Sequence, residues 1–334
     1  MPDERVGSVH VRFRLLLAGA ALGVLAAAAA APSGAIAARD VAPVPTTSHI
    51  HLLPTLAHHA DCFPPLLVSV ACGGAGAPLQ SHGGPVQPAA AVFIVFWGWH
   101  GNDPSGQAPY QQAFFNGVGG SAWDASQTQY CAPAAGALNS TCSSGSTHVG
   151  NPGGVLKGTW SDDTNAVPSQ PSDSAIQAEA VRAAQFFGNT SAASNTSTQY
   201  VIDTPPGNST QGFNTQWCAY HGSAGSSFGA LSYTDFPYQT DAGANCGQNF
   251  VNSGSAGRLD GVSIVGGHEY AEAQTDPDAN TGWFDIAGNE TGDKCAWIMA
   301  GPGAITDVSF GTGTFAVQGL WSNSAAGGAG TCVT

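Results

Sequence analysis

A histidine and two glutamates at helical spacing form the clearest chemical pattern in this chain. The run His268-Glu269-Tyr270-Ala271-Glu272 separates His268 from Glu272 by four residues, which places both side chains on one face of an α-helix. Imidazole nitrogen and carboxylate oxygen both bind zinc. The spacing is that of the His-Glu-x-x-His zinc motif, with a carboxylate in place of the second histidine. Glu269, at the edge of this face, is the predicted catalytic base that takes a proton from water.

A third metal ligand must come from elsewhere in the chain. Glu290 follows Glu272 by 18 residues, close to the spacing of gluzincin-type peptidases, whose third ligand is a glutamate on the next helix. Asp293, three residues later, is predicted to share its face and to orient a ligand. Asp276 and Asp278 are alternatives, and Asp278 stands ten residues after the motif histidine, as the third ligand does in metzincins. The predicted metal set is His268, Glu272, Glu290 and Asp293.

Two further histidines lie in glycine- and serine-rich surroundings. His221, in the run Cys218-Ala219-Tyr220-His221-Gly222-Ser223, is predicted to sit in a disulfide-pinned loop and is a candidate catalytic residue that donates a hydrogen bond to an oxyanion. A fourth-ligand role and simple loop packing are the other interpretations. His82, in Ser81-His82-Gly83-Gly84-Pro85, carries the same ambiguity.

The motif also has a purely structural interpretation. His268 then bridges buried backbone groups, and Glu272 pairs with Arg258 or Lys294. A phosphate-binding loop finds no support, because the sequence contains no glycine-rich loop followed by Lys-Ser or Lys-Thr.

The amino-terminal sequence predicts an export signal. Three arginines in the first 14 residues precede an apolar run over residues 15–31, and Ala35-Ile36-Ala37 offers the small-x-small pattern of signal peptidase sites. We expect residues 1–37 to be removed, leaving a secreted protein with no membrane anchor. Residues 38–80 are rich in Ala, Pro and His without periodicity and are predicted to be a flexible leader or linker. The histidines at 49, 51, 58 and 59 are interpreted as unselected rather than metal-binding.

The cysteines fit an exported chain. All eight lie beyond the predicted signal peptide, and an even number in an exported protein indicates disulfides rather than free thiols. No pair has Cys-x-x-Cys spacing. Because short loops close most readily, we expect neighbours to pair. The predicted pairs are Cys62–Cys72, Cys131–Cys142, Cys218–Cys246 and Cys295–Cys332.

The charge of the predicted mature chain excludes some partners. Five Lys and Arg residues face twenty Asp and Glu residues, so nucleic acid and anionic membrane surfaces repel the protein. Only four of the acids are glutamates, and three of these lie within 22 residues beside His268. That concentration favours a functional interpretation of the motif.

The element pattern predicts a mixed α/β fold. Residues 92–97 form an apolar run typical of a buried central strand, and residues 172–187 show helical periodicity after a Ser172 cap. A helix is predicted over 110–116, strands over 200–203 and 228–233, and the motif helix over about 259–274. We expect one large disulfide-bonded extracellular domain over 81–334, with a central sheet and the motif helix.

A series of segments also carries a family resemblance. They are His82-Gly83-Gly84-Pro85-Val86, Phe96-Trp97-Gly98, Phe114-Phe115-Asn116-Gly117-Val118-Gly119-Gly120-Ser121, Cys218 through Ser223, Asp260-Gly261-Val262-Ser263-Ile264, His268 through Pro277, Gly282-Trp283-Phe284 and Glu290-Thr291-Gly292-Asp293-Lys294-Cys295. In order and spacing they resemble the EXORDIUM-like, or phosphate-induced, family of secreted proteins of plant cell walls and bacteria. The resemblance implies an extracytoplasmic or wall-associated protein, and the His-Glu pair, Glu290 and Asp293 match its pattern. Plant members usually carry Thr-Asn-Pro where this chain has Thr275-Asp276-Pro277.

Two functions are consistent with these observations. The first is a secreted zinc-dependent hydrolase, resembling a metallopeptidase, whose substrate is an extracellular peptide or a wall polymer. The second is a non-catalytic extracellular or cell-wall-associated binding protein, in which tryptophans stack on sugar rings. The candidate stacking residues are Trp97, Trp99, Trp217 and Trp283.

Overall fold

The computed structural model describes residues 50–62, 77–133 and 142–334. These residues form a mixed α/β fold in which helices cover both faces of a central six-stranded sheet, as the sequence predicted. The predicted signal peptide and the predicted Cys62–Cys72 pair lie outside the described part of the chain. Where the structure is described, no helix is long and apolar enough to cross a membrane.

The bounds of the described elements are as follows. The strands are β1 (Ile50–Pro54), β2 (Gln80–Ser81), β3 (Ala91–Trp97), β4 (Cys131–Ala132), β5 (Thr147–His148), β6 (Leu156–Asp162), β7 (Thr198–Asp203), β8 (Trp217–Ser226), β9 (Gly229–Phe236), β10 (Trp283–Phe284), β11 (Thr306–Phe310), β12 (Gly313–Val317), β13 (Leu320–Ser322) and β14 (Thr331–Val333). The helices are α1 (Leu56–Cys62), α2 (Gln107–Val118), α3 (Ala122–Ala125), α4 (Asp173–Phe186), α5 (Ala192–Asn195), α6 (Asp260–Thr275) and α7 (Ala325–Gly328). Short 3₁₀ turns cover Ser126–Gln129, Gln239–Asp241, Gly243–Cys246 and Asp293–Cys295.

The central sheet has the strand order β1-β8-β9-β7-β3-β6. Strands β9, β7, β3 and β6 run parallel to one another, whereas β8 is antiparallel to both of its neighbours, β9 and β1. Strand β3 is apolar throughout because both of its faces are covered. Val92 and Ile94 point into the core shared with α2 and α6, and Val95 and Trp97 point into the core shared with α4.

The motif helix α6 is buried along its whole length. A helix enclosed on all sides needs small residues where its neighbours come close. Gly267 provides such a position, since a Cβ atom there would lie 3.3 Å from the rings of both Phe114 and Trp123. Helix α6 thus crosses the face of the sheet opposite α4, which is the amphipathic helix capped by Ser172, as predicted.

The amino-terminal segment corrects one prediction. Residues 50–54 form the edge strand β1, which pairs antiparallel with β8 and places His51 opposite His221. Leu53 is fully buried in the main core, and β2 pairs with β10. The expectation of a linker over 38–80 is therefore wrong for residues 50–62 and for residue 80, because burial of apolar groups such as Leu53 fixes residues 50–62 on the sheet.

Three of the predicted disulfides are present in the described residues. Cys131 pairs with Cys142, Cys218 with Cys246, and Cys295 with Cys332. These are the predicted pairs of cysteines that follow each other in the sequence. The Cys218–Cys246 bond ties β8 to a 3₁₀ turn, and the Cys295–Cys332 bond ties β14 to the turn that begins at Asp293. Two of these bonds therefore hold segments that contribute residues to the site described next.

Candidate metal centre

Helix α6 presents two of the predicted ligands on one face. His268 Nε2 lies 3.1 Å from Glu272 Oε2, one helical turn away, and both side chains are fully buried. The geometry is not that of a hydrogen bond, since neither atom has a hydrogen-bond partner among the described residues. Both atoms are therefore available to a common third atom.

A third donor comes from the 3₁₀ turn after the helix. Asp293 Oδ1 lies 3.6 Å from His268 Nε2, and the Asp293 side chain is 15% exposed. One ligand atom from each of His268, Glu272 and Asp293 lies within 4.8 Å of the others. We call these three residues the first ligand group.

The second nitrogen of His268 is held by a glutamine. Its Nδ1 lies 3.3 Å from Gln318 Oε1, and Gln318 Nε2 donates to the carbonyl of Gly292 at 2.9 Å. Because the amide nitrogen of Gln318 is already donating to a carbonyl, its oxygen faces His268 as an acceptor. Nδ1 consequently carries the proton of the neutral imidazole, and the lone pair of Nε2 faces Glu272 and Asp293.

Both carboxylates of the first ligand group are held in the same way. Glu272 Oε1 accepts the backbone N–H groups of Gly292, at 3.1 Å, and Asp293, at 2.9 Å. Asp293 Oδ2 accepts the backbone N–H of Glu290 at 3.0 Å. In each residue one oxygen is fixed by the backbone while the other points toward the shared position. This is the arrangement that orients the ligands of a metal site before the ion binds.

His221 joins this centre from the sheet. It lies on β8, not in a loop as the sequence analysis expected, and its side chain is fully buried. Its Nδ1 lies 3.4 Å from Glu269 Oε2 and 3.6 Å from Glu272 Oε2. His221, Glu269 and Glu272 form the second ligand group, which shares Glu272 with the first.

A third ligand group lies on the other side of His221. It consists of His51, Asp276 and Glu290. His51 Nδ1 lies 3.2 Å from Glu290 Oε2, and His221 Nε2 lies 3.4 Å from the same oxygen. Glu290, predicted to bind beside His268 and Glu272, is thus placed with a different set of residues, and Asp293 takes the predicted position.

Several buried polar atoms at this centre lack hydrogen-bond partners, as expected where a cation binds. Donor atoms that share one tetrahedral ion at about 2.0–2.2 Å lie roughly 3.3–3.6 Å apart. The separations given above, from 3.1 Å to 3.6 Å, are close to this range. Leaving so many buried polar groups without partners costs about 1–3 kcal/mol each. In the described chain, the atoms of this cluster that lack a hydrogen-bond partner are Nε2 of His268, both nitrogens of His221, both carboxylate oxygens of Glu269 and Glu290, and Oε2 of Glu272.

The protonation behaviour of the cluster is strongly perturbed. Burial raises the pKa of Glu269 and that of Glu290 well above their ordinary values, and it lowers the pKa of His221 to about 3. Burial opposes the charges of His268 and Glu272 as well, but their mutual attraction outweighs it, raising the pKa of the histidine and lowering that of the glutamate. Buried carboxylates of this kind take up protons unless a cation compensates them.

His51 and Asp276 extend the set predicted from the sequence. His51 belonged to the histidine tract interpreted as unselected, and that interpretation is wrong for this residue. The alternation His49-Ile50-His51-Leu52 is typical of a strand, but it predicts His51 on the exposed face, whereas Leu52 is 38% exposed and His51 faces the cluster. Asp276 was an alternative ligand, and it lies with Glu290. Asp278 belongs to none of the three groups found among the described residues.

Other residues singled out from the sequence lie apart from these groups. His82 stacks on Phe284, with ring centroids 3.4 Å apart, and Lys294 forms an ion pair with Asp285 at 2.9 Å. The four candidate stacking tryptophans are all buried, with 1–4% exposure, so they offer no open ring face to a sugar. The structure thus removes the observation that favoured a tryptophan-based carbohydrate site.

A surface pocket of about 440 Å³ leads to the cluster. Strand β1 contributes Ile50, His51, Leu52 and Pro54 to its lining, and Asp293 lines it as well. His51 and Asp293 are also slightly exposed members of the cluster, at 10% and 15%. The pocket therefore meets the first and third ligand groups where each reaches the surface.

Comparisons with known proteins give no independent assignment. No protein-family model, no curated protein and no solved structure matches the chain. The resemblance to the EXORDIUM-like family therefore stays a prediction. What the structure itself shows is a disulfide-bonded mixed α/β domain whose buried histidine and carboxylate groups are able to hold a metal ion.

Proposed function

We propose that this protein is a zinc-dependent hydrolase and that its substrates are peptides. The observation that carries the proposal is the first ligand group. His268, Glu272 and Asp293 each have one atom fixed by a neighbour and the other directed at a shared position. One imidazole and two carboxylates form a donor set that zinc accepts.

The chemistry divides between the ion and the chain. Bound zinc supplies Lewis-acid polarisation of the scissile carbonyl. Glu269 precedes the ligand Glu272 by three residues and takes the proton from the attacking water. Both carboxylate oxygens of Glu269 have lone pairs free to accept this proton, because neither oxygen has a hydrogen-bond partner among the described residues.

His221 positions this base. Its Nδ1 lies 3.4 Å from Glu269 Oε2, close enough for a short movement to form a hydrogen bond. Strand β8 holds the ring in place, and the Cys218–Cys246 bond fixes that strand three residues earlier. His221 therefore acts through Glu269, which differs from the oxyanion-binding role expected from the sequence.

A peptide fits the surroundings better than a sugar polymer does. β1 is an edge strand of the sheet, and four of its five residues line the pocket. Edge strands offer unpaired backbone groups, which an extended peptide complements by adding a strand. An extended peptide along β1 would lie in the pocket that both His51 and Asp293 line.

The test compares two buried glutamates. The mature secreted protein is assayed for zinc content and for hydrolysis of a mixed peptide substrate. Glu269→Gln is expected to keep zinc while turnover falls about 100-fold or more, the usual effect of losing a general base. Glu179→Gln is the matched control, because Glu179 is equally buried but lies on α4, where it pairs with Arg182.

Two results would overturn the proposal. One is a zinc content below about a tenth of an ion per chain after mild purification, without gain on zinc addition. The other is unchanged peptide turnover in Glu269→Gln. In either case, retention of the protein on insoluble wall polymers would favour the non-catalytic binding function.

A further inference from the structure

We propose that the third ligand group binds a second divalent cation, through His51, Asp276 and Glu290. This site uses none of the residues of the first ligand group. It rests on the proposed function only in assuming that the cluster takes up divalent cations. The orientation of each donor and the total charge of the cluster both support a second cation.

His51 presents a lone pair to a carboxylate. Its Nε2 lies 3.0 Å from Asn280 Oδ1, an acceptor, so Nε2 carries the proton of the neutral ring. Nδ1 then faces Glu290 Oε2 at 3.2 Å with its lone pair. Two lone pairs at this distance repel each other unless a proton or a metal ion lies between them.

The two carboxylates of the third group are also prepared for a cation. Glu290 is fully buried, and neither of its oxygens accepts a hydrogen bond from any residue that the structure describes. Asp276 is fully buried as well, and its oxygens accept the backbone N–H groups of Asn280 and Gly282, each at 2.7 Å. Oδ1 also accepts the backbone N–H of Thr281 at 3.1 Å, so the carboxylate is oriented and Oδ2 is the oxygen that keeps a further lone pair for an ion.

His221 supplies a fourth donor. Its Nε2 lies 3.4 Å from Glu290 Oε2, and its ring stacks on that of His51, with centroids 5.5 Å apart and planes 13° apart. If Nε2 binds the second ion, Nδ1 must carry the proton and face Glu269. The second cation would thus set the tautomer that lets His221 donate to the proposed base.

The charge of the whole cluster calls for more than one ion. Its five carboxylates are Glu269, Glu272, Asp276, Glu290 and Asp293. One divalent cation compensates two of these negative charges, whereas two cations compensate four. Because uncompensated charge in a buried site is very costly, two cations fit the cluster better. Two imidazoles and two carboxylates favour zinc or a similar transition-metal ion over magnesium or calcium.

The proposed ion would tie together four segments. His51 lies on β1, His221 on β8, Asp276 at the carboxyl end of α6, and Glu290 in the connection before the last 3₁₀ turn of the site. Binding there would hold the edge strand against the body of the domain. Hydrogen exchange of the β1 amides therefore gives a readout that does not depend on activity.

The experiment counts zinc ions per chain in the mature protein after saturation and gel filtration. We expect about two ions in the wild type, about one in His51→Ala and about one in His268→Ala. Glu290→Gln, which conserves shape, should also retain about one ion. His82→Ala is the control, because His82 stacks on Phe284 outside the ligand groups and should leave two ions. In zinc-loaded protein, His51→Ala should speed β1 amide exchange by about tenfold or more.

The outcomes separate this site from the first. A single ion in the wild type that survives both His51→Ala and Glu290→Gln overturns the second site and leaves the proposed function standing. A single ion that is lost in His51→Ala but kept in His268→Ala supports the second site and contradicts the proposed zinc hydrolase. Absence of zinc from the wild type overturns both.

Discussion

His268 Nε2 and Glu272 Oε2 lie 3.1 Å apart, although the proton of the imidazole is held on the opposite nitrogen by Gln318. The Glu272 carboxylate is also held in one orientation, because its other oxygen accepts two backbone N–H groups. When the imidazole is neutral, this pair directs two lone pairs at one point, as metal ligands do. Burial opposes the charge of His268, but without a cation the attraction of Glu272 raises the pKa of His268 to about 10, so a metal ion takes the place of a proton on Nε2.

A glycine makes the approach of these two residues possible. A Cβ atom on Gly292 would lie 2.6 Å from His268 Nδ1 and 2.9 Å from Glu272 Oε1, closer than van der Waals contact allows. We therefore expect Gly292→Ala to displace both ligands and to lower zinc affinity by about 10-fold to 100-fold, as loss of ligand support does. Zinc titration monitored by calorimetry measures this change.

Gly225→Ala is the matched control for that substitution. Gly225 lies on β8 with open space around its Cβ position, so zinc affinity should not change. Equal affinities in the two variants would contradict the close packing of Gly292 against the ligands.

Metal removal should lower the melting temperature. An ion that binds only the folded chain adds about 2.7 kcal/mol at 100 times its dissociation constant, which corresponds to roughly 5–10 °C for a domain of this size. Scanning calorimetry with and without a chelator checks this. Glu272→Ala should melt lower than the wild type and lose the response to chelator. A zinc-containing wild type that melts identically with chelator would argue against a metal that stabilises the fold.

The Cys295–Cys332 bond should matter more to the site than the Cys131–Cys142 bond does. It closes the longer loop, 37 residues against 11, and it fixes the turn that carries Asp293. Chain-entropy arguments assign about 4 kcal/mol to the longer loop and about 3 kcal/mol to the shorter one. Replacing both cysteines of a pair by serine should reduce zinc affinity only for the 295–332 pair, as zinc titration of the two variants would show. Equal zinc affinities would mean that Asp293 is held without this bond.

A buried aspartate on β9 should make stability depend on pH. Burial, together with the nearby charge of Asp173, raises the pKa of Asp235 to about 7, although a hydrogen bond from Thr210 opposes the shift. The native state therefore binds this proton more tightly than the unfolded chain does between about pH 4 and pH 7, so this residue's contribution to the free energy of unfolding falls as pH rises through that window.

Asp235→Asn removes the ionisable carboxyl group and therefore the fall in the free energy of unfolding that this group causes as pH rises. Relative to the wild type, the variant should gain about 2–4 kcal/mol in the free energy of unfolding between pH 5 and pH 8, measured by urea denaturation. Asp307→Asn, at an exposed position on β11, should show no such gain. Parallel pH profiles for Asp235→Asn and the wild type would show that Asp235 ionises normally in the fold.

Much of the fold was predictable because its signals are local. The apolar run of β3, the Ser172 cap of α4 and the spacing of the motif on α6 each depend on residues that are neighbours in sequence. The disulfides followed from short loop lengths. These features can be recognised without knowing which residues pack against them.

The parts that were missed depend on distant contacts. His51 reaches the cluster because β1 pairs with β8, a partner some 170 residues away along the chain. The choice between Glu290 and Asp293 depended on the shape of the connection after α6. A helix was assumed there, whereas the chain forms a 3₁₀ turn that directs Asp293 toward His268 and leaves Glu290 with His51. Residue spacing alone does not encode that turn.

Anomalous diffraction at the zinc absorption edge, from crystals of the mature protein grown with zinc, tests the central claim most directly. We predict a peak about 2 Å from His268 Nε2, Glu272 Oε2 and Asp293 Oδ1, with His268 Nδ1 still bonded to Gln318. A map without a peak at this position, in which His268 Nε2 donates a hydrogen bond to Glu272, would contradict the account.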